Sequence, residues 1–243
     1  MKAVLMAIGL LLLSGCATVG SGSPWAGLAG SCAKPSQDQE LALNLADDMV
    51  KDGKLYASLA NLQGLPDGLA AVRLRKAKIY RQLGRSEAGP LYRSLLGGCL
   101  AAEGEHGLGQ LASGRGDNDQ ALAYLQRAVQ LMPVDEKIRN DLGVVYFNQR
   151  RLEEARFEFL TAMELKPNDQ LAAVNLLALL IYQDNWQQAT AWVKRIGLGP
   201  EQVTRAQAWA QKLKAPDNLN RARVAALAAP LPVPNNLISQ RSR

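Results

Sequence analysis

The chain has 243 residues and a formal net charge of +6, with aromatic residues at only 5%. Abundant Ala and Leu favour helix. The excess charge is partly terminal, in Arg221, Arg223, Arg241 and Arg243, and no basic stripe is interleaved with aromatics, which argues against a nucleic-acid surface. Met1-Lys2 is followed by an apolar run from Ala3 to Leu13 and then by Ser14-Gly15-Cys16. A charged start, a short apolar core and small residues before a cut site predict a secretory signal peptide over 1–15. The run is about eleven residues, too short to span a hydrocarbon core of ~30 Å.

Leu13-Ser14-Gly15-Cys16 resembles the bacterial lipobox. The resemblance implies cleavage before Cys16 and acylation of that residue, the only lipid site expected. Two or three acyl chains anchor stably where one does not. Ala17 follows the Cys, with no Asp there, so the same rule implies the outer membrane with the body facing the periplasm. The alternative is an ordinary signal peptide and an incidental Cys. Residues 16–38 form the lipidated Cys and a flexible tether, since Gly20-Ser21-Gly22-Ser23-Pro24 has linker composition. Cys32 and Cys99 remain as an even pair, and in an oxidising compartment they either form a disulfide or stay as two thiols.

From Gln39 the pattern becomes helical. Leu41, Leu45, Met49 and Val50 recur at helical spacing, Gly53 breaks it, and a second helix runs from Leu55 to Leu62. This pair, 39–69, reads as a degenerate repeat or an N-terminal cap. Clearer repeats occupy 70–199. The first, 70–101, places Ala77, Tyr80, Gly84, Ala88 and Tyr92 at recurring positions, with an inter-helix turn one residue short. The second, 102–135, has Leu108-Gly109, Ala121, Leu125, Ala128 and Pro133. The third has Leu142-Gly143-x-x-Tyr146, Ala155-x-x-x-Phe159, Ala162 and Pro167. A fourth starts at Gln170, keeping Leu176, Ala189 and Val193 but placing Leu177 and Leu180 where Gly and Tyr would stand. A further amphipathic helix within 200–215, with Val203, Ala206, Trp209 and Leu213 on one face, is expected to cap the stack. Residues 216–243, with Pro230, Pro232 and Pro234, read as a disordered tail.

The third repeat resembles the tetratricopeptide (TPR) pattern, in which two antiparallel helices form a unit of about 34 residues. Pro133 to Pro167 is 34 positions, and Arg139 stands where the opening Trp would be. The resemblance implies an all-α TPR solenoid. Such units stack because none can bury its apolar face alone. Gly143 and Ala155 are expected where the two helices touch, and Pro133 and Pro167 end the second helices because proline cannot continue the hydrogen-bond ladder.

In TPR folds, positions 2, 5, 9, 12 and 13 of each first helix line the concave side. In the third repeat these are Lys137, Asn140, Val144, Phe147 and Asn148. In the fourth they are Leu171, Val174, Ala178, Ile181 and Tyr182, with Asn175 beside them. The face is mostly apolar with a few amides, which suits an amphipathic helix or strand of a partner. The alternative is that these side chains pack against the capping helix. If a partner binds here, replacing Phe147 and Tyr182 with Ala weakens binding and leaves the fold intact.

No catalytic constellation is present, so an enzyme, a cofactor, a metal site and a small-molecule substrate are not expected. His106 is the single histidine and stands in no metal-ligand motif, so a ligand role is not expected of it. Arg115-Gly116-Asp117 falls at an inter-helix turn, where Gly and Asp are expected on structural grounds.

Lipobox, tether, repeats and Pro-rich tail together resemble the TPR lipoproteins of tight-adherence (Flp) pilus systems, and the pilotin lipoproteins of type IV pilus and type II secretion systems. The resemblance implies a protein partner, a secretin or another pilus or secretion component, and a role in assembling or placing it. The alternative is a general envelope scaffold for outer-membrane protein insertion or cell-wall enzymes.

Overall fold

The computed structural model describes residues 32–215. The segment expected to be a signal peptide, Cys16, most of the expected tether and the expected tail from 216 onward lie outside the described residues. Every regular element among the described residues is helical, eleven in all. No described helix is long and apolar enough to cross a membrane. The chain divides into two compact units, the first ending at Ala101.

The first unit holds α1 (Gln37–Lys51), α2 (Leu55–Gln63), α3 (Ala70–Gln82) and α4 (Ala88–Arg93). Helix α1 starts at Gln37, two residues before the sequence pattern does, because Ser36 and Gln39 close a capping box. Its buried face is Leu43 and Ala46, whereas Leu41 is 70% and Leu45 47% exposed. The face is set by α2, whose small Ser58 donates its hydroxyl to the Ala46 carbonyl at 2.8 Å. Asn61 donates to the Ala42 carbonyl at 2.7 Å. Small residues at the crossing let the helices approach closely. Ala77, Ala88 and Tyr92 are buried between α3 and α4, as expected of repeat positions.

Helix α4 has only six residues, and turns follow it. Gly97, at φ +76°, takes the left-handed conformation that ends such a segment at little steric cost. Cys99 follows immediately and is joined to Cys32 by a disulfide, with Cα atoms 5.3 Å apart. The bridge closes a loop with a sequence separation of 67. A link over that length removes much of the unfolded chain's freedom, so Cys99→Ser is expected to cost about 2–4 kcal/mol. Urea unfolding followed by circular dichroism checks this. A midpoint that neither the substitution nor dithiothreitol moves contradicts it.

The second unit holds α5 (Ala101–Gly114), α6 (Asn118–Leu131), α7 (Glu136–Asn148), α8 (Leu152–Leu165), α9 (Gln170–Tyr182), α10 (Trp186–Ile196) and α11 (Pro200–Lys214). These are three antiparallel pairs and the capping helix. An ideal Cβ on Gly143 would stand 2.7 Å from two ring carbons of Phe159 and 3.3 Å from the Ala155 carbonyl oxygen. Gly109, 34 residues earlier, meets Leu125 at the same 2.7 Å. The glycines therefore mark the closest approach within the α5–α6 and α7–α8 pairs. Gly143→Leu is expected to cost about 1–3 kcal/mol by overpacking. An unchanged thermal midpoint would place the helix contact elsewhere.

Candidate functional site

The first-helix faces of the third and fourth repeats are set up by paired caps. Asp135 accepts from the backbone N–H groups of Lys137 and Ile138, both at 2.9 Å, and starts α7. Asp169 accepts from Leu171 N–H at 2.9 Å and starts α9. The two caps recur at the repeat period, so α7 and α9 present equivalent positions side by side.

Helix α11 docks on this side of α9 and divides the face into a covered half and an open half. In the covered half, Phe147 is fully buried. Its ring meets Trp209 of α11 edge-on at 4.7 Å and Tyr182 at 5.5 Å between centroids. Trp209 Nε1 donates to Asn148 Oδ1 at 3.4 Å, and the Arg150 guanidinium donates to the Leu213 carbonyl. Ala178 and Ile181 are core residues. Here the structure departs from the expectation of an open apolar groove. Phe147 and Asn148 face the chain's own last helix, Tyr182 packs against Phe147, and in this arrangement Phe147 has no surface to give a partner. The positions are apolar because α11 covers them.

The open half lies toward the N-terminal ends of α7 and α9. A hollow of about 310 Å³ is lined by Leu171, Val174, Asn175, Gln202, Arg205 and Trp209. Beside it a narrow recess of about 20 Å³ runs between Lys137, Asn140 and Leu171. Lys137 and Leu171 are exposed there, while Val174, Asn140 and Asn175 are largely buried in its walls. Val144 is half-buried and packs against the core. Of the eight residues expected to meet a partner, four thus gather at the open end.

The amides at this end belong to a hydrogen-bonded ladder across three first helices. His106 Nε2 lies 2.7 Å from Asp141 Oδ2. The carboxylate accepts, so the ring proton is on Nε2. Gln110 donates to the same oxygen at 2.7 Å. Asn140 donates to Asp141 Oδ1 at 3.2 Å and accepts from Asn175 Nδ2 at 2.8 Å. Burial pushes the Asp141 carboxyl up, but the hydrogen bond and charge of His106, with the Gln110 and Asn140 amides, pull harder and leave it below its ordinary value. Asn140 is therefore committed at both ends of its amide, and its side chain serves the ladder first.

His106, Gln110 and Asp141 are absent from the sequence-based set, although the signal for the first two was present. His106, Asn140 and Val174 are each 34 residues apart. His106 and Gln110 occupy positions 5 and 9 of the second repeat, where the concave-face rule applies equally. Asp141 stands at position 6, outside the rule, and only the packed helices show its role.

This chain matches a tetratricopeptide repeat family model over residues 112–180. It is 40% identical over 215 residues to the TPR repeat-containing protein PA4299 of Pseudomonas aeruginosa, covering 87% of this chain and 85% of that one. The chain belongs to the TPR repeat proteins. Among solved structures, pilF of Pseudomonas aeruginosa is 17% identical with a TM-score of 0.58, over 78% of this chain and 87% of that one. YrrB, described as a TPR protein with an unusual peptide-binding site, is 23% identical with a TM-score of 0.50, over 69% and 90%. At these identities the likenesses establish the shared TPR fold. Proteins of this family serve as protein–protein interaction scaffolds, as the stacked repeats imply.

Proposed function

We propose that this TPR protein is a lipid-anchored scaffold of the bacterial outer membrane. It faces the periplasm and helps assemble or place a pilus or secretion apparatus, with a secretin or its associated components as partner. The tight-adherence (Flp) pilus is the machine the overall layout resembles most. The observation that carries the scaffold role is the open hollow at Leu171, Val174 and Asn175, an apolar cleft with convergent amides on a face whose other half is already filled. Asn175 Oδ1 has no protein partner among the described residues, which leaves it to meet a partner's backbone N–H. The anchor and the compartment rest on Leu13-Ser14-Gly15-Cys16.

The test pairs two variants in the producing bacterium. Cys16→Ala is expected to lose incorporation of a fatty-acid analogue and to leave the outer-membrane fraction. Leu171→Glu is expected to keep the label and the fold but to lose co-purification of secretin multimers. Equal labelling of Cys16→Ala and wild type refutes the anchor. Secretin multimers that form and are recovered equally with every variant refute the pilus role and favour the general envelope scaffold.

A further inference from the structure

Helix α9 also borders a second cleft, away from the hollow beneath α11. Its Leu176 and Leu180 form the floor of a groove of about 300 Å³ whose walls are Leu160 of α8 and Trp192 of α10. Leu176, Leu180 and Trp192 are nearly buried, while Leu160 is 40% exposed. Phe157, one turn before Leu160 on α8, is 62% exposed. Large apolar side chains left open beside a cleft mark contact surfaces more often than scattered ones do.

Two guanidinium groups stand on the rim, one on each flanking helix. Arg156 of α8 donates to Gln183 Oε1 at 2.7 Å, which fixes its direction. Its nearest carboxylate, exposed Glu153, is 3.9 Å away, too far for a strong pair. Arg195 of α10 lies over the Trp192 ring, 4.4 Å from its centroid. A cation over a ring face is held by the ring quadrupole, an attraction that does not neutralise its charge as a carboxylate would. No carboxylate lies within ion-pair distance of Arg195 among the described residues. The groove is thus apolar within, cationic on both sides, and uncompensated on at least one.

From this geometry we infer that the groove between α8 and α10 docks an acidic amphipathic segment of a partner protein. Its apolar side chains enter between Leu160, Leu176, Leu180 and Trp192, and its Asp or Glu side chains pair with Arg156 and Arg195. Charge selects that occupant over the chain's own C-terminal tail, where Arg221, Arg223, Arg241 and Arg243 face a single Asp217 and would repel the rim. Arg fits the role because its planar fork takes a carboxylate through two parallel hydrogen bonds. The surface is separate from the hollow at Asn175, so a scaffold of this kind engages two segments at once.

The probe is a displayed library of short random peptides, selected on the full-length protein and counter-selected on its Arg156→Glu/Arg195→Glu variant. Arg195 is exposed and Arg156 partly so, and circular dichroism checks that the variant folds. Peptides lost on the variant are expected to combine Asp or Glu with apolar residues at helical spacing. Their affinity for the variant falls at least about tenfold, roughly 1.4 kcal/mol. Changing their acids to Lys restores binding to the variant and abolishes it on wild type. Leu160→Glu weakens the same peptides, while Leu171→Glu in the other hollow does not. If no selected peptide is sensitive to the arginine change, or the sensitive ones lack acidic residues, the inference fails. It also fails if the arginines matter only for binding vesicles of phosphatidylglycerol, which would make the rim a lipid-headgroup contact. Sensitivity to Leu171→Glu alone would return all binding to the first hollow.

Discussion

Phe147→Ala is expected to lower the stability of the second unit by about 3–5 kcal/mol, the usual cost of emptying a fully buried phenylalanine site. The ring is wedged between Tyr182 and Trp209, so the loss falls on the joint between α7, α9 and α11. Trp209 would lose its edge contact, and Asn148 its hydrogen-bond donor. The other apolar contacts of α11 are modest, Ala206 and Ala210 being buried but small and Val203 and Leu213 half-buried, and its remaining ties are polar, from Arg150 to the Leu213 carbonyl, Gln202 to Gln170 and Lys214 to Asp184. Amide exchange over 200–214 is therefore expected to quicken more than elsewhere in the unit, and tryptophan emission to move to longer wavelength. Tyr182→Ala is expected to cost less, because that ring is only half-buried. An unchanged urea midpoint with α11 amides still protected would mean that α11 does not cover Phe147 in solution. It would reopen the apolar face to a partner.

The same joint shows where sequence reasoning was sufficient and where it stopped. Repeat positions were legible because they are local and periodic. Gly143 and Ala155, with Phe159 between their helices, recur at fixed spacing, and each is buried where the pattern puts it. Which face of a helix is covered, and by what, was not legible in the same way. In α1, Leu41 and Leu45 carry a helical period, yet the helix turns Leu43 and Ala46 inward because the facing α2 offers Ser58 and Asn61 to its backbone. In α7 and α9 the apolar concave positions are consistent with a partner or with a cap, and periodicity within one helix is blind to what lies opposite. A clue did exist. Residues 172–181 are apolar apart from Asn175, and every one of them is buried. A helix apolar on all sides is covered on all sides. The ladder from His106 to Asn175 was hidden differently, because hydrogen bonds between successive first helices depend on a stacking distance that no single repeat encodes.

Arg139→Met is expected to cost about 3 kcal/mol at neutral pH, although it replaces a charged residue with an apolar one in a helical core. Arg139 stands at the opening-Trp position of the third repeat and fills it by other means. Its Nε donates to the Pro133 carbonyl at 2.8 Å. Its Nη1 lies 3.1 Å from Glu158 Oε2 and 3.3 Å from Oε1. Glu158 is only 6% exposed, so the arginine neutralises a carboxylate that α8 has carried inside. Burial pushes the Glu158 carboxyl above its ordinary 4.5, outweighing the hydrogen bond and charge of Arg139 that pull it down. Without Arg139 it rises further. A group whose folded value is raised contributes stability in full below its unfolded value and loses it as pH climbs through the folded one. The deficit of Arg139→Met should therefore shrink toward the ordinary Glu value, where the carboxyl is protonated, and widen toward neutrality. Adding Glu158→Leu should recover most of the loss at neutral pH, because an apolar pair of similar volume does not have to be desolvated as ions. Urea unfolding of both variants at acidic and neutral pH checks each step. A deficit independent of pH, or a double variant no more stable than the single one, would show that Arg139 acts through its packing and its Pro133 hydrogen bond and not through the charge on Glu158.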